Sequence, residues 1–130
     1  MLKNKIYGLI YGCAIGDAVG LQFEGCEKEY ISKQLSNSKL TIKSEGSWYG
    51  VDFGDWSDDT DHLILLLETL TENNNKFDSV LFAKKLKQWR RAGFPELGDT
   101  CGMGLGQYTG KLTADPEFEN NPLQISKKIY

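Results

Sequence analysis

The chain has 130 residues, 40% of them hydrophobic and 25% charged, with a formal net charge of −3. That is enough for one modest domain spanning residues 1–130, and such ordinary usage excludes wholesale disorder. The mild acidity gives no electrostatic footing on a phosphate backbone, so no nucleic-acid partner is expected.

The three cysteines, Cys13, Cys26 and Cys101, form no C-x-x-C pair. They read as reduced, buried or incidental thiols of an intracellular protein, not as a disulfide framework or a zinc site. No segment offers the roughly 18 apolar residues that a membrane span needs. Lys3 and Lys5 ahead of the apolar run 6–19 imitate a signal peptide, but Asp17 inside the run and the lack of an A-x-A-like cleavage site argue against one. A cytoplasmic protein without membrane contact is expected.

The first predicted element covers residues 3–19. Gly8, Gly12, Gly16 and Gly20 recur every four residues, which excludes a strand and places the glycines along one face of a helix. Each glycine costs about 1 kcal/mol against alanine in a helix interior, so a close helix neighbour along that groove is expected. Leu9, Ile10, Cys13, Ala14, Ile15 and Ala18 make the rest apolar nearly all round, which predicts a central, buried helix. Asp17 interrupts it. A carboxylate in such surroundings needs a partner, and a bond to backbone or a neighbouring loop is the simplest one. Glu24 follows beyond the helix end and, taken alone, would be an exposed glutamate.

A short solvent-facing helix is expected over residues 28–35, then a polar loop. Residues 48–56 carry Trp48, Tyr49, Phe53 and Trp56 among glycines, the composition of an ordered binding loop. The sequence Ser57-Asp58-Asp59-Thr60-Asp61 opens a second long helix, with Ser57 as its cap and acids in its first turn. Leu63, Ile64, Leu65, Leu66, Leu67 and Leu70 make it buried, and it ends near Asn73-Asn74-Asn75.

Asp78 should cap a third helix running through Arg91. Leu81, Phe82, Leu86 and Trp89 form its core stripe, and Lys84, Lys85, Lys87, Arg90 and Arg91 are placed on its wet side. Gly93 and Pro95 stop it. The glycine-rich stretch 98–106 matches neither a dinucleotide fingerprint nor a P-loop. Asp99 or Thr100 is instead expected to cap a helix reaching Gly110. Residues 123–130 read as two further helical turns.

Ser57, Asp58 and Asp59 offer only oxygen donors, which suit Mg²⁺ or Mn²⁺ before Zn²⁺ or Ca²⁺. Simple capping is the competing reading of the same residues. His62, one turn later, is expected to be a packed or surface residue instead of a ligand.

Gly8-x-x-x-Gly12-x-x-x-Gly16-Asp17-Ala18-x-Gly20-x-x-x-Glu24, followed by Gly54-x-x-Ser57-Asp58-Asp59-Thr60, resembles the N-terminal part of the ADP-ribosylglycohydrolase family, which includes the dinitrogenase reductase-activating glycohydrolases. The resemblance implies an all-α fold, the N-terminal portion of a compact helical domain. It also implies a cleft with two Mg²⁺ or Mn²⁺ ions and hydrolysis of the C1″ glycosidic or ester bond of ADP-ribose attached to protein or a small molecule. Carried over, Ser57, Asp58 and Asp59 become metal ligands. Asp58, Asp59 and Glu24 become the catalytic acids, with Glu24 positioning substrate or water.

The family's remaining ligands, an Asp-x-Asp-Thr-like set, come from a C-terminal part with no counterpart after Thr60. Activity is therefore expected only with a complementary C-terminal polypeptide. Without one, the chain would be an inactive helical module binding ADP-ribose or metal, or a structural one. Half of a helical domain also buries little apolar surface, so a marginal or self-associating chain is expected.

Overall fold

The computed structural model describes residues 2–36 and 54–130, and secondary structure among them is helical throughout. The order is α1 (Leu2–Leu21), α2 (Lys28–Leu35), α3 (Asp58–Glu72), α4 (Ser79–Ala92), a 3-10 turn at Pro95–Leu97, α5 (Gln107–Ala114) and α6 (Pro122–Ile129). Two compact units follow from the contacts, Met1–Thr60 and Asp61–Tyr130.

In the first unit, α1 forms over the span that the glycine rhythm predicts. Its environment differs from the expectation. Ala18 is its one buried residue, and Leu9 and Ile15 are 64% and 63% exposed. A side chain built on Gly8, Gly12, Gly16 or Gly20 would meet nothing within 4 Å among the described residues. The physical reason lies in the pattern itself. Apolar side chains surround α1 instead of forming one stripe, so a single neighbour cannot cover it. The helix unwinds through a turn in which Phe23 N–H donates to Gly20 O and Glu24 N–H to Leu21 O, and Gly25 has φ +70°. Helix α2 has the expected bounds and no buried residue. The expected aromatic loop falls mostly on residues 48–53, outside the described residues.

The second unit holds the hydrophobic core. Leu65 of α3, Ala83, Leu86 and Trp89 of α4, Phe94, Leu112 of α5, Phe118 and Ile125 of α6 form one buried cluster. Helix α4 organises it. Asp78 caps its start, accepting from Val80 N–H at 2.8 Å and Leu81 N–H at 3.0 Å, as the sequence predicts. Gly93 ends it in the left-handed region at φ +59°, with its N–H on Trp89 O. Trp89, 1% exposed, sits at the centre and donates its indole N–H to Asp61 Oδ2 at 2.9 Å. Helix α3 stops where Asn74 and Asn75 adopt φ values of +52° and +61°, a conformation that asparagine tolerates better than most residues.

Gly102 runs directly beneath the Trp89 ring, where an added Cβ would sit 2.7 Å from two ring carbons. Gly102→Ala is therefore expected to displace the indole and cost about 1–3 kcal/mol, the usual range for overpacking. A lowered midpoint in urea unfolding checks it.

The basic face of α4 is drier than its charge suggests. Lys87 is 6% exposed. Its ammonium donates to Asp115 O at 3.2 Å and lies 3.6 Å from a Glu119 oxygen. Arg90 donates to Gly110 O at 2.9 Å and to Thr113 Oγ1 at 2.7 Å, tying α4 to α5. Long cationic side chains can bury their stems when carbonyls and carboxylates meet the head group, and this overturns the wet-face expectation for these two. Lys84 and Arg91 are exposed as expected.

Lys85 bridges α4 to α3 through Glu68 at 3.0 Å and Glu72 at 2.8 Å. Desolvation works against its charge, but its hydrogen bonds to Glu72 and Glu68 and their negative charges outweigh it and raise the ammonium above its ordinary 10.5. A raised folded-state value contributes stability below 10.5 that is lost as pH rises through the folded value. Lys85→Met should thus lower stability by up to about 1 kcal/mol near neutral pH, the range for exposed pairs. The deficit should shrink in strongly alkaline buffer. Urea unfolding of both proteins at neutral and alkaline pH measures it.

Helix α5 begins later than expected. Gly106 precedes it, with no side-chain cap. Asp99 serves the preceding loop instead, accepting from Phe94 N–H at 2.8 Å. A nearer donor outcompeted the helix end. Helix α6 supplies the two turns expected at residues 123–130. Cys13 and Cys101 are exposed and Cys26 is half-buried, so none of the three thiols is buried.

Candidate active site

The site is built on the start of α3. The first N–H groups of any α-helix lack intrahelical partners, and here they find two different acceptors. Ser57 Oγ accepts from Asp59 N–H at 3.3 Å, so Ser57 caps α3 as the sequence predicts. Thr60 N–H instead donates to Asp17 Oδ2 at 3.1 Å, a carboxylate reaching across from α1.

Asp17 does more than cap. Its Oδ2 also accepts from Ser57 N–H at 3.0 Å and from Thr60 Oγ1 at 2.6 Å. Its Oδ1 accepts from Ser57 Oγ at 2.7 Å. Four donors on one carboxylate match the roughly four lone-pair sites such a group offers. Asp17 is half-buried and Thr60 only 4% exposed, so these bonds are partly shielded from water. The partner that the sequence demanded for Asp17 is thus the turn 57–60. Sequence reasoning pointed to a bond but did not identify that turn, and it gave Thr60 no role.

Asp58 and Asp59 follow on the first turn, half-buried and exposed respectively. Negative charge at a helix N-terminus is favoured by the macrodipole. Two neighbouring carboxylates still repel each other, and a cation would relieve that. Glu24 is exposed in the turn after α1. The structure brings Ser57, Asp58 and Asp59 together with Asp17, and it shows no hydrogen bond to the Glu24 carboxylate among the described residues. His62 packs edge-on against Trp89, ring centroids 5.1 Å apart, as expected for a packed histidine.

Among the described residues no group of three or more His, Cys, Asp or Glu side chains is arranged to hold a metal ion. The donor set nevertheless fits a hard cation in kind. The Ser57 hydroxyl gives its proton to Asp17 and one lone pair to Asp59 N–H, which leaves one lone pair for a ligand. Asp58 and Asp59 add carboxylate oxygens. This is a partial set, because Mg²⁺ asks for about six oxygens, some of them water.

Comparison with known proteins decides the family. The sequence model described as ADP-ribosylglycohydrolase matches residues 1–127. The chain belongs to the ADP-ribosylglycohydrolase family. Its relatives include an uncharacterised protein of Archaeoglobus fulgidus, 34% identical over 68% of this chain and 28% of that protein. An ADP-ribosylarginine hydrolase of Pseudomonas putida is 29% identical over 82% of this chain and 26% of its own length. The ADP-ribosyl-[dinitrogen reductase] glycohydrolase of Rhodospirillum rubrum is 25% identical over 90% of this chain and 39% of its own length. The chain therefore spans only about a quarter to two fifths of these relatives. No solved structure matches it. The helical architecture agrees with the all-α fold expected of an ADP-ribosylglycohydrolase.

Proposed function

We propose that this chain is the N-terminal part of a hydrolase that cleaves the C1″ bond of ADP-ribose on a protein or small molecule, completed by a C-terminal polypeptide. Family membership supports the reaction class. The observation that carries the site is the Ser57-Asp58-Asp59 turn, whose hydroxyl proton is already committed to Asp17. Ser57, Asp58 and Asp59 would hold Mg²⁺ or Mn²⁺, with two ions in the completed site. A bound cation would supply a Lewis acid for the ribose hydroxyls and lower the pKa of a water.

The chain's own acids do the rest. Asp58 and Asp59 place negative charge where an oxocarbenium-like transition state develops positive charge. Glu24, exposed in the turn after α1 of the same unit, would orient substrate or the attacking water. The relatives named for ADP-ribosylarginine and ADP-ribosylated dinitrogen reductase make an ADP-ribosylated protein the favoured substrate. The working location proposed is the cytoplasm; among the described residues no helix is long and apolar enough to cross a membrane.

The test is hydrolysis of an ADP-ribosylated arginine peptide in Mg²⁺, by the chain alone and by the chain co-expressed with the C-terminal segment of a relative. Release of ADP-ribose only in the second case is the expected result. Release in neither case favours the inactive binding module over the hydrolase.

A further inference from the structure

Asp17 lies outside the ligand set just proposed, yet it makes the shortest contacts in the site. A simple tertiary cap needs only the Ser57 and Thr60 N–H groups. Asp17 instead collects both hydroxyl protons as well, and those two bonds, 2.6 and 2.7 Å, are shorter than its bonds to the N–H groups at 3.0 and 3.1 Å. A neutral hydroxyl can face a cation only with its proton turned away. Asp17 Oδ1 is the group that turns it.

We infer that Asp17 is a positioning residue: by holding the Ser57 hydroxyl proton it aims a Ser57 lone pair at a hard divalent cation, and through Thr60 it fixes the turn that carries Asp58 and Asp59. This rests on the cation site proposed above. The roles of the two carboxylate oxygens separate cleanly. Oδ2 takes the two N–H groups and the Thr60 hydroxyl, which hold the turn. Oδ1 takes only the Ser57 hydroxyl.

That division makes Asp17→Asn informative. With its amide oxygen in the place of Oδ2, asparagine keeps three of the four bonds. Its NH₂ group then faces Ser57 Oγ and donates to it. The lone pair meant for the cation is consumed, and the hydroxyl proton is released toward the cation. The fold of the turn is kept while the polarity of one bond is reversed.

The experiment is Mn²⁺ binding to the full chain, read by electron paramagnetic resonance, beside amide hydrogen exchange at Ser57 and Thr60. Asp17→Asn is expected to retain amide protection and to bind Mn²⁺ roughly 10- to 100-fold more weakly, the usual effect of losing an outer partner of a ligand. In a Ser57→Ala background the Asp17→Asn effect should largely vanish, because the two residues act as one unit. Ser57→Ala alone keeps the Asp17 bonds to backbone and Thr60, and it should weaken Mn²⁺ binding while Ser57→Thr restores it.

Unchanged Mn²⁺ affinity in Asp17→Asn, or full additivity with Ser57→Ala, would overturn the positioning role and leave the cation site standing. Should Asp17→Asn lose amide protection, the serine variants decide alone: Ser57→Ala binding like wild type overturns the inference. A wild-type chain that binds no Mn²⁺ overturns the cation site itself, and the inference with it.

Discussion

Asp58→Asn/Asp59→Asn is expected to abolish ADP-ribose release by the complemented protein, by more than about 100-fold, while leaving the fold intact. The argument is one of charge and location. Both residues sit on the first turn of α3, where neither contributes to the buried cluster around Trp89. Asparagine keeps the shape of each side chain and still tolerates a helix start. What it removes is two negative charges beside the Ser57 hydroxyl at the start of α3. Losing an outer partner of a metal ligand already costs roughly 10- to 100-fold, so losing both of the proposed ligands should cost more. Initial rates with saturating Mg²⁺, alongside a thermal melt of each protein, separate chemistry from folding. Release that survives in the double variant removes Asp58 and Asp59 from the site.

The largest stability effect belongs to Trp89. Its ring is 1% exposed, underlaid by Gly102, edged by His62, and held by the Asp61 carboxylate. Trp89→Ala removes that packing and opens a cavity, which costs about 3–5 kcal/mol for a buried aromatic. A small domain has only about 5–15 kcal/mol in all. The variant should lose most of its cooperative unfolding transition by circular dichroism. Trp89→Phe keeps a ring but drops the N–H bond to Asp61, so a smaller loss is expected. A Trp89→Ala protein melting like wild type would contradict the placement of the core.

Much of this arrangement is legible in the sequence because it is local. Asp78 caps α4, Gly93 stops it, Ser57 caps α3, and α2 occupies residues 28–35, all through bonds between residues a few positions apart. The features that escape are those decided by distant neighbours. Asp17 shows by its apolar surroundings that it needs a partner, but Ser57 and Thr60 lie some forty positions away, and nothing local names them. Lys87 and Arg90 look solvated by charge alone, and it is distant acceptors, the carbonyls of Asp115 and Gly110 among them, that let Lys87 be buried and Arg90 half-buried. The start of α5 is misplaced for a similar reason, since Asp99 is engaged by Phe94 N–H. The apolar girdle of α1 reads as buried from composition, yet burial depends on neighbours that no helix carries in its own sequence.

The candidate site follows the same division. The oxygen-donor triplet and its fitness for a hard cation are visible in Ser57-Asp58-Asp59. The state of the Ser57 hydroxyl, which gives its proton to Asp17 forty positions away, is not.

Mn²⁺ titration of the full chain, wild type beside Asp58→Asn/Asp59→Asn, tests the central claim most directly because it needs no substrate and no second polypeptide. The account predicts saturable binding by the wild type that the double variant loses. Equal binding by both proteins would contradict it.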